Sequence, residues 1–194
     1  MVFDSGIGGA TVLEQIQALI PGADYSYFMD NALLPYGAQS QQTIIARLLA
    51  LLQFIETANL HVDILVIACN TASTSALETI RQHTSIEVVG VVPAIKPACA
   101  ISNSKHIGLL ATPSTIKSRY TANLISTHSQ DTQVSLYGST ELVEIAETLF
   151  HTQKINKAKL EKVLSNLAIA EDIDVLIKKS RCTIMQRLLL VIRN

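Results

Sequence analysis

One cysteine stands where a predicted strand meets a predicted helix. Cys69 follows the apolar run Ile64–Ala68 and precedes the helix-like segment Thr71–Gln82. At the start of a helix, the amide N–H groups and the helix dipole lower the pKa of a thiol and raise its thiolate fraction. Asn70 and Thr71 add hydrogen-bond donors that suit a carboxylate. We therefore predict a reactive thiol here, with a buried and inert cysteine as the alternative.

A glycine-rich turn forms a second candidate site. Residues 4–9 read DSGIGG and lie where a first strand should turn into a helix, so the backbone could approach an anion closely. The turn does not match a dinucleotide fingerprint, because Thr11 replaces the third glycine, and no Gly-Lys-Ser/Thr follows as in a phosphate-binding loop. An acid such as Asp4 at the end of a strand suits proton transfer. The alternative is a tight turn in which Asp4 caps the helix.

Two further segments carry hydroxyl groups that could bind a ligand. The loop Asn31–Gly37 contains Pro35 and Tyr36 and is either a simple turn or part of a binding site. Residues 112–115 (TPST) open another predicted helix, where the hydroxyls either cap the helix or bind an anion. The histidines have no metal-ligand spacing, and we expect them at the surface; they are His61, His83, His106, His128 and His151.

The elements that must position these residues are short apolar strands alternating with longer helices. The predicted strands are Tyr25–Met29, Ile64–Ala68, Ile86–Val92, Ile107–Ala111, Val134–Tyr137 and Ile173–Ile177, and the predicted helices are Thr11–Leu19, Gln41–Ala58, Thr71–Gln82, Ser114–Ile125, Thr140–Phe150 and Ala158–Ala168. This alternation predicts an α/β fold with mainly parallel sheets. Residues 90–97 (GVVPAIKP) contain two prolines, and we place a boundary there between a domain at 1–92 and a domain at 93–194.

Composition narrows the class of protein further. The 194 residues are 48% hydrophobic and 16% charged, with a formal net charge of −1. This apolar content excludes disorder. The small net charge does not indicate the excess of basic residues that is typical of proteins that bind nucleic acid or a membrane surface. No apolar run approaches the roughly 20 residues of a membrane helix, and residues 1–6 (MVFDSG) do not read as a signal peptide. We therefore expect a cytoplasmic protein, whose three scattered cysteines form neither a disulfide framework nor a zinc site.

Five segments in order resemble the glutamate racemases, of the aspartate/glutamate racemase family. They are residues 3–9, 30–37, 68–73, 90–98 and 108–121. The resemblance implies two similar α/β domains related by pseudo-twofold symmetry. It also implies an isomerase that interconverts L- and D-glutamate without a cofactor or metal and supplies D-glutamate for peptidoglycan synthesis, cell-wall biogenesis and cell shape. The implied partner is a small-molecule substrate, with a homodimer as a further expectation. An aspartate racemase and a non-catalytic remnant of a racemase remain as alternatives.

The resemblance also implies a role for each matching residue. Two thiols act on opposite faces of the substrate Cα, one as base and one as acid, because no cofactor is present to delocalise the charge. Cys69 takes the proton from D-glutamate with the assistance of Asp4, Cys182 is the second thiol, and Glu147 is an acid near it. The residues that match the substrate-binding motifs are Asp4, Ser5, Tyr36, Gly37, Asn70, Thr71, Thr115 and Thr183.

The C-terminal segment departs from the family pattern. The family's second cysteine lies in Gly-Cys-Thr-His-x-Pro-Leu, whereas here Arg181 precedes Cys182 and Ile184 replaces the supporting histidine. Cys182 therefore either holds the family position or matches it by chance. The last 17 residues, 178–194, hold five of the 15 Lys and Arg and none of the 16 acidic residues. From this divergent tail, a short N-terminal strand and the absence of the segments that complete the first domain in the family, we expect a truncated protein with impaired activity.

Overall fold

The computed structural model of the protein describes residues 1–152 and 154–178, which fall into two compact units. The first is Met1–Val92 and the second begins at Pro93. No helix in these ranges is long and apolar enough to cross a membrane. Each unit has its own sheet and its own core.

The first unit contains a four-stranded, fully parallel sheet in the order β2-β1-β3-β4. Its elements are β1 Val2–Asp4, α1 Ala10–Leu19, β2 Tyr27–Met29, α2 Gln41–Thr57, β3 Ile64–Ile67, α3 Asn70–Arg81 and β4 Glu87–Gly90, with 3₁₀ turns at Asn31–Leu33 and Tyr36–Ala38. Strands β1 and β3 are neighbours, with Phe3 opposite Ile67. The residues that follow these two strands therefore meet at one edge of the sheet.

The core of the first unit lies between this sheet and the helices α2 and α3. Helix α2 begins at a Ser40 cap, whose Oγ accepts the Thr43 N–H at 3.1 Å. The helix buries one stripe at helical spacing, formed by Ile44, Leu48, Leu51 and Ile55. This stripe joins Phe3, Leu65 and Ile67 of the sheet in one apolar cluster, which also contains Tyr36 and Cys69. The candidate thiol therefore lies against the main core of its unit.

The second unit repeats the strand arrangement of the first three strands. Its elements are α4 Ile95–Ile101, β5 His106–Ala111, α5 Pro113–Lys117, α6 Arg119–His128, β6 Gln133–Gly138, α7 Glu141–Thr152, α8 Lys157–Leu167 and β7 Val175–Lys178. The parallel strands are ordered β6-β5-β7, as β2-β1-β3 are in the first unit. The predicted α/β class with parallel sheets is confirmed by these two sheets.

Beyond small shifts at the helix ends, the helices differ from the predictions in two respects. The predicted helix Ser114–Ile125 is two helices, because Ser118 has extended backbone and its Oγ caps α6 by accepting the Thr121 N–H at 3.1 Å. Helix α4 was not predicted, because two prolines suggested a linker. Pro97 lies in the first turn of α4, where a missing N–H removes no helical hydrogen bond.

The expectation of surface histidines is wrong for His106. Its side chain is only 8% exposed and its two ring nitrogens lie 2.7 Å from Asp172 Oδ2 and 2.8 Å from Ser135 Oγ. His106 begins the central strand of the second sheet, and the two partners come from the flanking segments of the chain. Burial is possible because both ring nitrogens have a polar partner.

Candidate active site

Two strand ends bring a serine hydroxyl to the candidate thiol. The Ala68 N–H donates to Phe3 O at 2.7 Å, which aligns the end of β3 with the end of β1. Just beyond this hydrogen bond, two residues after Phe3 and one residue after Ala68, Ser5 Oγ lies 3.4 Å from Cys69 Sγ. Ser5 and Cys69 are both buried, at 3% and 1% exposure. A hydroxyl and a thiol at this distance can share a proton in a hydrogen bond, in which either atom could be the donor.

Cys69 stands at the N-cap position of α3. Its backbone is extended, and its carbonyl oxygen accepts the Ser73 N–H at 2.8 Å, the first hydrogen bond of the helix. The thiol is therefore attached where the positive end of the helix dipole favours negative charge. Ser73 fixes this start, because its Oγ donates to Ile67 O at 2.8 Å and accepts the Val91 N–H at 3.1 Å.

Asn70 and Thr71 form the first residues of the same helix. Thr71 is buried at 2% exposure, and Asn70 is half-buried. The N–H groups of a helix's first turn have no partner within the helix, so they are the groups that a carboxylate could bind. Both residues lie next to the thiol in sequence and in space, which fits the predicted substrate-binding role without testing it.

Asp4 organises the glycine-rich turn. Its Oδ1 accepts the Ser5 N–H at 2.9 Å and its Oδ2 accepts the Gly9 N–H at 2.6 Å. Tyr27 closes the turn from the neighbouring strand, donating from its hydroxyl to Gly6 O at 2.6 Å. The buried carboxylate therefore holds the turn that carries Ser5. This structural role is close to the helix-capping role given above as the alternative for Asp4. Its part in proton transfer stays a prediction.

Tyr36 and Gly37 lie in the 3₁₀ turn Tyr36–Ala38. The Tyr36 side chain is 1% exposed, its ring lies 6.2 Å from that of Phe3, and its hydroxyl donates to Asp30 Oδ2 at 2.7 Å. Burial, and then the hydrogen bond to Asp30, raise the pKa of Tyr36 far above its usual value. The phenol therefore stays neutral and acts as a fixed donor inside the unit.

Asp30 and Arg47 belong to this neighbourhood, and neither was predicted as a site residue, although Asp30 begins the segment 30–37 that matches the family. Arg47 donates from Nε to Asp30 Oδ2 at 2.7 Å and from Nη2 to Oδ1 at 2.9 Å. The hydrogen bond from Arg47 is the main cause that lowers the pKa of Asp30, although burial opposes it. A signal was present in the sequence, since Arg47 interrupts the otherwise apolar stretch 44–52 (IIARLLALL).

The remaining predicted site residues lie elsewhere. Thr115, at 1% exposure, is in α5 of the second unit, where its N–H donates to the capping Thr112 Oγ1 at 3.3 Å. Glu147 lies in α7 of the same unit. Cys182 and Thr183 lie outside the described residues. Within residues 1–152 and 154–178, no group of three or more His, Cys, Asp or Glu side chains could hold a metal ion.

The fold and this site define a class of parallel α/β proteins that bury a thiol at a helix start beside a serine hydroxyl. The chain belongs to the Asp/Glu/Hydantoin racemase family, whose model matches residues 9–177. It is 51% identical over 178 residues to the glutamate racemase of Shewanella sp. (strain MR-4), and this match covers 91% of the chain and 64% of that relative. The glutamate racemase of Shewanella frigidimarina is 48% identical over 177 residues, covering 91% of the chain and 68% of the relative.

Solved structures of glutamate racemases share the fold. The Escherichia coli enzyme, in complex with L-glutamate and the activator UDP-MurNAc-Ala, superposes with a TM-score of 0.88 at 36% identity, covering 98% of this chain and 73% of that one. The Campylobacter jejuni enzyme gives a TM-score of 0.77 at 30% identity, covering 98% and 74%. The chain thus spans less than two thirds of the length of the first curated relative and about three quarters of these solved chains.

Proposed function

We propose that this chain interconverts L- and D-glutamate by proton transfer at Cα, with Cys69 as the group that acts on D-glutamate. The single observation that carries the proposal is the 3.4 Å approach of Ser5 Oγ to Cys69 Sγ at the start of α3. The relatives named glutamate racemase, and the Escherichia coli structure that contains L-glutamate, support glutamate as the substrate.

Removal of the proton at Cα requires a strong base next to a weakly acidic C–H bond. The α-hydrogen of an amino acid is a poor acid, so the base must be a thiolate held ready in a site that excludes water. The helix start at Cys69 favours the thiolate, and Ser5 Oγ can donate to it. When the thiolate removes the proton, negative charge develops toward the substrate carboxylate, which the N–H groups of Asn70 and Thr71 would stabilise.

The second half of the proposed reaction needs an acid on the other face of Cα. The sequence offers Cys182 for this step, with Thr183 beside it and Glu147 as a supporting acid, as the resemblance implies. Ile184 stands where the family has a histidine, so a neutral apolar side chain replaces a group that could assist the second thiol. We therefore propose slow turnover, limited at the Cys182 step.

The proposal is tested by incubating L-glutamate and D-glutamate separately with the chain and following the enantiomer ratio by chiral chromatography. We expect slow conversion in both directions, and a loss of at least about 100-fold in Cys69→Ser, the scale of a missing general base. Cys99→Ser is the matched control, because Cys99 is a second buried thiol, in α4 of the second unit, and takes no part in the Ser5–Cys69 contact. Equal activity in wild type and Cys69→Ser would contradict the proposal.

Aspartate, run in parallel, tests the nearest alternative. Conversion of aspartate without conversion of glutamate would identify an aspartate racemase instead. We further propose a cytoplasmic location, because the proposed reaction requires Cys69 as a thiol and a reducing compartment keeps thiols reduced. A homodimer stays a prediction, which light scattering on the purified chain would check.

A further inference from the structure

A buried carboxylate connects three parts of the candidate site. The Asp30 side chain is only 4% exposed, and its two oxygens accept both nitrogens of a bidentate Arg47 fork as well as the Tyr36 hydroxyl. Its own backbone N–H donates to Asp4 O at 3.0 Å. Asp30 thus joins the end of β1, the Tyr36–Ala38 turn and α2. Moving this carboxylate would shift the turn relative to Asp4.

The negative charge of Asp30, and not only its position, affects the thiol of Cys69. Tyr36 and Cys69 belong to one buried cluster, and both Asp30 and Cys69 act electrostatically on the Tyr36 hydroxyl, after burial as the main cause of its raised pKa. A carboxylate behind a thiol in a poorly solvated interior disfavours the thiolate. Asp30 would therefore oppose the thiolate that the proposed function requires, unless its charge is cancelled.

The segments that meet at Cys69 carry no positive side chain. The turn that brings Ser5 to Cys69, residues 4–9 (DSGIGG), contains no Lys, Arg or His, and the first two turns of α3, residues 70–77 (NTASTSAL), contain no ionisable side chain. Arg47 brings the compensating positive charge from α2, through both nitrogens of its fork. Its side chain is 43% exposed, so the guanidinium keeps contact with water while it pairs with the buried oxygens.

We propose that Asp30 and Arg47 form a positioning pair, in which the carboxylate holds the Tyr36–Ala38 turn beside the thiol of Cys69 and the guanidinium cancels the negative charge that this carboxylate places behind it. This role acts through Tyr36 and Cys69 and is not that of a group that contacts the reacting atoms. Its meaning for catalysis rests on the proposed function, but its effect on the thiol does not, so the two can be tested separately.

The test is an NMR titration of the chain labelled with [¹³Cβ]cysteine, without substrate, in which the Cys69 signal is assigned by its loss in Cys69→Ser. Arg47→Met removes the charge and keeps an apolar stem, so we expect the Cys69 midpoint to rise by about one pH unit, the lower end of the effect of a nearby like charge. Arg47→Lys keeps the charge and should leave the midpoint near that of the wild type. Asp30→Asn combined with Arg47→Met removes both charges and should restore the wild-type midpoint.

Arg81→Met is the matched control. Arg81 ends α3, pairs with Glu78 at 3.4 Å and donates to Val88 O, so its loss removes an equal charge from the first unit far along the helix from Cys69. We expect no shift of the Cys69 midpoint in Arg81→Met. A Cys69 midpoint that Arg47→Met leaves unchanged, or a double variant that keeps the raised midpoint, would overturn the inference, because a purely structural ion pair predicts these results.

A folding defect in Arg47→Met would not end the test. Asp30→Asn alone leaves no unpaired buried carboxylate, and it retains the positive Arg47, so the Cys69 midpoint should fall. An unchanged midpoint in this variant would overturn the inference. If the midpoints shift as expected while the wild type converts neither enantiomer of glutamate, the proposed function fails and the positioning pair stands.

Discussion

Gly9 packs so tightly that a single methyl group should disturb both the fold and the candidate site. A Cβ added at Gly9 would lie 2.6 Å from Asp4 Cβ, 3.0 Å from Tyr27 Oη and 3.1 Å from Ala68 Cβ. Ordinary contacts begin at 3.4 Å. Two of the three atoms are Cβ atoms attached directly to the backbone, so relief of the clash requires movement of the chain near β1 and β3.

The backbone itself gives no reason for a glycine at this position. Gly9 has φ −69° and ψ −18°, which alanine adopts readily, so the effect of Gly9→Ala is a steric one. Overpacking of this kind costs about 1–3 kcal/mol. Displacing the Gly9 N–H from Asp4 Oδ2 weakens a hydrogen bond to a carboxylate, worth about 1.5–3 kcal/mol. Alanine also makes the unfolded chain less flexible, which raises the free energy of unfolding by about 0.4–1 kcal/mol. We therefore expect Gly9→Ala to lower the free energy of unfolding by about 2–5 kcal/mol in total.

The measurement is urea unfolding followed by far-UV circular dichroism. With a slope of about 1–3 kcal/mol per molar urea, the unfolding midpoint should fall by at least about 0.7 M. Gly22→Ala is the control, because a Cβ there would have no neighbour within 4 Å, and its midpoint should stay close to that of the wild type. A Gly9→Ala midpoint equal to that of Gly22→Ala would refute the steric reasoning.

Three further variants test the rest of the structure. Leu48→Ala in α2 empties a fully buried position and should lower the free energy of unfolding by about 2–5 kcal/mol, read from the same urea curves. Ser73→Ala removes the Oγ partner of the Val91 N–H, which still donates to Ile67 O at 3.1 Å, so the free energy of unfolding should fall by only about 0.5–1.5 kcal/mol, and Ser73→Thr, which keeps the hydroxyl, should lower it less. The Ser102 hydroxyl first, and then the backbone N–H groups of residues 103 and 104, hold the pKa of Asp174 well below its usual range. Since the folded pKa lies below the unfolded one, this stabilisation is complete above about pH 4 and is lost as the pH falls further, so Asp174→Asn should lower Tm at pH 7 and differ less from the wild type in acid. A Tm difference that grows toward low pH would contradict this sign.

The class of fold was predictable because it depends on local pattern. Continuous apolar runs such as residues 64–68 (ILVIA), separated by amphipathic helices, are typical of parallel strands covered on both faces. Parallel strands also end at one edge of a sheet, but the strand order that makes β1 and β3 neighbours, and so brings Ser5 to Cys69, is not set by local pattern. The division of Ser114–Ile125 was missed, because a cap inside a polar helix looks like any other helical serine.

Contacts between distant residues were not predictable from pattern. Asp30 and Arg47 are 17 residues apart, and His106 and Asp172 are 66 residues apart, so neither pair has a local signature. Each contact can be identified only after the strands and helices that carry the two partners have been placed in the fold. The predicted roles of Glu147 and Cys182 stay predictions, since the Glu147 side chain and the whole of residue 182 lie outside what the structure describes.

The central claim is that Cys69 acts as a base on the α-proton of D-glutamate, and deuterium exchange measures this step most directly. D-glutamate is incubated with the folded chain in D₂O, and the Cα proton signal is followed by NMR, with Cys69→Ser and Cys99→Ser in parallel. We expect the Cα proton to be replaced by deuterium in the wild type and in Cys99→Ser, but not in Cys69→Ser. This result does not depend on how well the Cys182 step works. Absence of exchange in a folded wild-type sample, or exchange that persists in Cys69→Ser, would contradict the account.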